Sequence, residues 1–300
     1  MKRTGNSFLI AILILLFLFT LSGCNNNDIH QEEKIIVVTS IFPLADLAQK
    51  IGGEKIEAVA LLKGNASPHD YEPTPDDIKL LSGGDLLIFI GQGLDQFAIE
   101  LAKAQDDKKV LVLADRIKEQ ATQLLLQQNG VYDPHIWTDP ILVRDEIAPL
   151  IATQLCEIDL ANKDYYEQNL KEVQEELTEL DTQIKQTVQA FSRKSFLTTH
   201  AAWGYFAKRY GLEEISIEKF SGQEPSPKEL MQIIDYARQK GIKTVFAEAQ
   251  TSSKTAEIIA EELGGKVGIL DPLGNPSITE RSNYIDLLLW NVAQLEKELK

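Results

Sequence analysis

The chain has 300 residues, 44% hydrophobic and 25% charged, which excludes a disordered polymer and leaves room for two globular domains of ordinary size. Its formal net charge of −15 excludes the basic face that a phosphate backbone requires, so nucleic acid is not an expected partner. An acidic surface favours solubility and mildly attracts cations, but it does not identify a ligand.

The chain opens with Lys2 and Arg3, then an apolar run over 8–21 that ends in small residues. That run is too short for a comfortable transmembrane helix and has the pattern of a secretory signal peptide over 1–23. Leu21-Ser22-Gly23-Cys24 looks like a bacterial lipobox, with cleavage before Cys24 and lipid on its sulfur. An uncleaved anchor with an incidental cysteine is the alternative, and in either case the body of the chain lies outside the cytoplasmic membrane. Residues 24–33 are polar except for Ile29 and read as a tether, so His30 within it is expected to be solvated rather than a ligand. With Cys24 modified, Cys156 has no partner in its own chain; no disulfide framework is expected, and the thiol reads as inert.

The fold is expected to begin at residues 35–39, a continuous apolar run of the kind found in buried parallel strands. Similar runs follow at 56–62, 85–90 and 110–113, with helical patterns between them at 44–51 and 75–81. Such alternation predicts a parallel sheet covered by helices. Asp139-Pro140 is a good helix start, and that helix is expected to run to about residue 157. A longer helix is predicted over 163–191, its apolar stripe formed by Leu170, Val173, Leu177, Leu180, Ile184, Val188 and Phe191. Without internal Gly or Pro it would extend about 40 Å, which suits a link between two lobes. Strands at 195–199, 244–246 and 266–270 and helices at 227–240, 253–263 and 282–299 complete the pattern. The expected architecture is two α/β lobes, 34–160 and 192–300, each a mostly parallel sheet flanked by helices, joined by one long α-helix at 161–191; no internal repeat stands out.

Only four histidines occur, and three stand in loops rich in Pro and Asp: His69, His135 and His200. Asp271, in Leu270-Asp271-Pro272-Leu273-Gly274, comes at a similar interval. Imidazole is the commonest ligand for a borderline metal, and three imidazoles with one carboxylate would fill a tetrahedral zinc shell. Ligands of open α/β sheets bind beyond the carboxyl ends of strands, and His69, His200 and Asp271 each follow a predicted strand. His135 is delivered there by a longer loop. Two candidates come from each half, so the site is expected in the cleft between lobes. A loop histidine is usually a surface or hydrogen-bonding residue, and no short zinc signature such as His-Glu-x-x-His is present. Gly91-Gln92-Gly93 lacks the third glycine and the acidic follow-up of a dinucleotide site.

The segments His69-Asp70-Tyr71-Glu72-Pro73-Thr74-Pro75, Asp133-Pro134-His135-Ile136-Trp137 and Thr199-His200-Ala201-Ala202-Trp203-Gly204-Tyr205-Phe206 resemble the zinc and manganese solute-binding lipoproteins of bacterial ABC importers. So do Gly222-Gln223-Glu224-Pro225-Ser226-Pro227, Phe246-Ala247-Glu248 and the segment around Asp271. The likeness runs from about residue 34 to the C-terminus and includes the lipobox. It implies two lobes bridged by a long helix, metal in the cleft, and His69, His135 and His200 as ligands, with Asp271 as the fourth at the position that varies most. Manganese-type members resemble this chain but carry a carboxylate where His200 stands. Imidazoles favour zinc and manganese prefers oxygen, so Zn2+ is the expected cargo and Mn2+ the alternative. Residues 115–132 contain no histidine, so the His-rich capture loop of some zinc-type relatives is absent. Glu248 and Glu72, with Asp70 beside the latter, are candidates for holding a ligand's free ring nitrogen, and strand-end or surface acids otherwise. Trp137, Trp203 and Tyr205 are expected to pack around the site.

The resemblance implies a lipid-anchored, monomeric, extracytoplasmic receptor that delivers zinc to an ABC permease and is not an enzyme. An exported zinc hydrolase is the competing reading: it would keep a coordination position for water with a base beside it. A haem or siderophore receptor would need a larger pocket and no convergent histidines. A cell-adhesion role is compatible with anchoring, though no residue pattern points to it.

Overall fold

A computed structural model of the chain describes residues 33–62, 64, 66–104, 108–128 and 130–300, without the side chain of Asp70. The expected signal peptide, lipidated Cys24, most of the tether and His30 lie outside these residues.

The β-branched run Ile35–Ile41 forms β1 and leads directly into helix α1 (Phe42–Gly52). Strand β2 (Ile56–Leu62), helix α2 (Pro75–Gly83), strand β3 (Leu86–Phe89), helix α3 (Gln96–Lys103), strand β4 (Lys109–Val112) and helix α4 (Leu113–Ala121) follow. All pairings in this sheet are parallel, in the order β2-β1-β3-β4. A small antiparallel pair, β5 (Gln127–Gln128) and β6 (Val131–Tyr132), precedes the His135 loop.

The helix expected from 139 to about 157 is interrupted. Pro140–Leu142 (α5) and Ala148–Ile158 (α6) are α-helical, but Val143–Ile147 widens into a π-helical turn. Pro149 supplies the reason: it has no N–H for the carbonyl one turn back, and its ring crowds that carbonyl. The expected cap is present, with Asp139 Oδ1 accepting from the backbone N–H groups of Ile141 and Leu142.

Helix α7 (Lys163–Gln189) is the predicted long helix, 27 residues with Val173, Leu177, Leu180, Ile184 and Val188 buried. Tyr166 joins that stripe, and Leu170 is only partly covered. Then come β7 (Ser195–His200), α8 (Gly204–Tyr210), β8 (Glu213–Glu218), α9 (Pro227–Gln239), β9 (Thr244–Glu248), α10 (Lys254–Glu262), β10 (Lys266–Leu270) and α11 (Tyr284–Leu299). Their sheet is again parallel, ordered β10-β9-β7-β8. Counted within its own half, each sheet has the same strand order, 2-1-3-4, which periodicity did not reveal.

Alternation along the strands divides the burial. Val37, Leu86, Ile88 and Phe196 enter one large core, while their neighbours Val38, Leu87, Phe89 and Leu197 enter separate cores on the opposite sheet faces. The large core runs without a break from Leu44 and Ile51 through Leu177 and Ile184 to Phe206, Tyr284 and Leu295. Residues Lys34–Lys300 accordingly form one compact unit. Buried hydrogen bonds reinforce the join, with Trp137 Nε1 donating to the Pro272 carbonyl and Tyr284 Oη to the Trp137 carbonyl, both at 2.7 Å. Among the described residues no helix is long and apolar enough to cross a membrane.

Candidate metal centre

Each histidine is set by local structure. His69 lies in the short turn Pro68–Asp70 beyond β2, where Ser67 Oγ accepts from its backbone N–H. His135 is held at both ends: Asp133 Oδ1 accepts from its backbone N–H at 2.9 Å and pairs with ring Nδ1 at 2.8 Å. Thr138 Oγ1 donates to its carbonyl at 2.9 Å. His200 is the last residue of β7, at the carboxyl edge of the second sheet.

The structure brings these three together, with one ligand atom from each lying within 4.8 Å of the others. Ring centroids are 4.7 Å apart for His69 and His200, 5.1 Å for His135 and His200, and 5.5 Å for His69 and His135. His135 Nε2 and His200 Nε2 approach to 3.3 Å. Nitrogens bound to one zinc at about 2.0–2.1 Å stand about 3.3 Å apart at the corners of a tetrahedron, so this separation is already a coordination edge. The Asp133 carboxylate is placed to accept a hydrogen bond from the Nδ1–H of His135, which favours the tautomer whose Nε2 lone pair faces inward. His69 Nε2 is buried with no hydrogen-bond partner, a costly state for a polar atom unless an ion uses it. The donor set fits a borderline divalent metal.

The structure does not bring Asp271 into that group. Its Oδ1 accepts from Gln250 Nε2 at 2.6 Å and from the backbone N–H groups of Leu273 and Gly274 at 3.0 and 2.9 Å. Oδ2 pairs with Arg281 Nη1 at 2.6 Å, and the Asp271 side chain is 1% exposed. A carboxylate that already accepts four hydrogen bonds has little incentive to leave them. This loop also faces the His69 loop at close range, since a Cβ on Gly64, at φ +78°, would stand 1.8 Å from the Gly274 carbonyl. Glu248 ends β9, and its pKa is pushed up to about 8 by burial first, then by Asp271 and Glu218; it makes no hydrogen bond to a site histidine. Glu72 is exposed between the His69 turn and α2, and the side chain of Asp70 lies outside the described residues.

Reasoning on the sequence missed Asp133, hidden because Asp-Pro reads as a turn; the signal was its place two residues before a candidate ligand. It also missed the Lys219 backbone beside His200, which partly offsets the lowering of that ring's pKa. Trp137 and Trp203 are each 1% exposed, and the Trp137 ring lies 5.2 Å from that of His135. Tyr205 Oη donates to the Asp133 carbonyl at 2.9 Å and so secures the His135 loop.

Burial and then the His135 ring lower the His69 pKa to about 4, while burial and then the other two rings lower that of His200 to about 2. A depressed histidine value means that the neutral, metal-ready form persists well below the ordinary 6.5. The unfolded chain takes up protons at these rings near pH 6.5 and the folded chain does not. Their contribution to stability is therefore lost as pH falls from 6.5 toward 4. In metal-free protein, ring 15N shifts should show His69 and His200 still neutral at about pH 5. Midpoints near the ordinary value would contradict this picture.

Comparison with known proteins agrees with the geometry. Residues 37–298 match the family described as "ZnuA: Zinc-uptake complex component A periplasmic". The "High-affinity zinc uptake system protein ZnuA" of Bacillus subtilis (strain 168) is 29% identical, over 99% of this chain and 98% of its own length. A crystal structure of a ZnuA deletion mutant with zinc bound is 35% identical with a TM-score of 0.80, over 89% of this chain and 99% of its own. The periplasmic zinc-binding protein TroA of Treponema pallidum, 22% identical over 89% of this chain and 99% of its own, has the same fold at a TM-score of 0.81.

Proposed function

The chain belongs to this family of zinc-uptake components, and from that premise we propose that it captures Zn2+ between its two α/β halves and delivers it to an ABC permease for import. It is an extracytoplasmic metal-binding component of an importer and not an enzyme. In our reading His69, His135 and His200 hold the ion, while Asp271 braces the wall of the site through Arg281 and Gln250. The lobes span 34–160 and 192–300, linked through 161–191. The protein works as a monomer, tethered by lipid on Cys24.

The observation that carries the reading is the convergence of three imidazoles, from two loops and the end of a strand, on one point, with His69 Nε2 left unpartnered. Three nitrogen donors favour zinc over manganese, which prefers oxygen. The mature protein, stripped with a chelator and reloaded from equal zinc and manganese, should return from gel filtration with one zinc per chain and little manganese. Equal retention of the two metals would remove the zinc assignment.

A further inference from the structure

Strand β8 pairs in parallel with β7, placing Glu214 opposite Phe196 and Glu218 opposite His200. Glu214 reaches from there to both sides of the His200 loop. Thr198 Oγ1 donates to its Oε1 at 2.9 Å, and the Trp203 backbone N–H donates to its Oε2 at 3.0 Å. Thr198 precedes the histidine in the strand and Trp203 follows it in the loop, so one carboxyl ties down the chain on either side of the ligand.

The same carboxyl lies near the group that orients another ligand. A Cβ on Gly204 would stand 3.0 Å from Asp133 Oδ2 and 4.0 Å from Glu214 Oε2, so the missing side chain gives both carboxyls their room. Asp133 holds the His135 ring, as described above. Glu214 thus sits where the supports of two ligands, one from each half, come together. Part of the residue reaches the surface, but its carboxyl end is enclosed, and burial, then Asp133 and Glu248, raise its pKa to about 8. At neutral pH it is mostly protonated and adds little second negative charge beside Asp133.

We propose that Glu214 is a positioning residue of the metal centre, whose carboxyl sets the His200 loop so that Nε2 faces His69 and His135. It acts through that loop and does not touch the ion. The proposal rests on the zinc-capture reading and adds to it a residue that gives the three-histidine cluster its shape.

The test compares Glu214→Ala, Glu214→Gln and Thr198→Val in the mature chain. Zinc affinity is read by competition with a chelator, and the His200 ring by 15N NMR in metal-free protein. Loss of a group supporting a ligand typically costs about 10- to 100-fold in affinity, so Glu214→Ala should weaken zinc binding at least about tenfold. It should also redistribute the His200 ring tautomers before any metal is added. Glu214→Gln, of equal shape and neutral, should stay close to wild type in both readouts, and Thr198→Val should fall between. Wild-type affinity with an unchanged His200 spectrum in Glu214→Ala would overturn the proposal, as would a glutamine variant as damaged as the alanine one. If Glu214→Ala does not fold, wild-type behaviour of Thr198→Val overturns it instead. A wild-type chain that fails to hold zinc would count against the capture reading alone, because the ring spectra test positioning without metal.

Discussion

Replacing His200 by alanine should weaken zinc binding by roughly a few hundred- to a few thousandfold, since about 10–16 kcal/mol of binding shared among three histidines gives roughly 3–5 kcal/mol for each. The expectation follows from the 3.3 Å separation of His135 Nε2 and His200 Nε2, because an ion that loses one corner of that edge keeps only His135 and His69. The loss should appear mainly as faster release in a chelator-competition time course. The fold should survive: β7 pairs with both β8 and β9 through its backbone, and alanine is compatible with those bonds. Affinity near wild type in a folded His200→Ala protein would take His200 out of the ligand set.

The second large effect concerns Arg281. Its ion pair with Asp271 is almost wholly enclosed, with side-chain exposures of 13% and 1%, and its guanidinium lies 4.6 Å over the Trp290 ring. Arg281→Met would strand a buried carboxylate, and removing one partner of such a pair costs about 3–5 kcal/mol. For a chain of this size that corresponds to a fall of roughly 10 °C in Tm. Adding Asp271→Asn should recover part of it, because the neutral amide needs no counter-ion. Thermal unfolding of the metal-free proteins checks both statements. A single variant within about 2 °C of wild type would mean that solvent already reaches Asp271 and the pair contributes little.

Much of the scaffold was legible in the sequence. The runs at 35–39 and 56–62 and the stripe on α7 bury large apolar areas, and such elements announce themselves through their period. Strand β8 did not, for a physical reason: Glu-Glu-Ile-Ser-Ile-Glu lies at the sheet edge and buries only Ile215 and Ile217. Its acidic residues look like a solvated face, yet Glu214 turns its carboxyl inward beneath a loop. The three histidines could be picked out because so few occur and each sits beside proline or at a strand end. Asp271 also followed a strand, but chain position carries no information about competing partners. Arg281, ten residues on, and Gln250, twenty-one residues back, claim its oxygens only once the chain has folded. The π-helical turn was equally hidden, since Pro149 reads as tolerable in the first turn of a helix and disruptive only within a longer one.

The unbroken core beneath both sheets bears on mechanics. A receptor whose halves meet only at a linker can swing open cheaply, and its ligand must hold it shut. Here apolar packing from Leu44 to Leu295, with the buried bonds of Trp137 and Tyr284, already clamps the scaffold. Stiffness of this kind moves the compliance to the rim, to short segments beyond the strand ends such as the turn that carries His69. On the proposed capture reading, the escape time of the ion would then be a property of a few short segments and not of a hinge. For the proposed delivery, a permease drawing out the ion would then act on those segments and leave the body of the protein at rest.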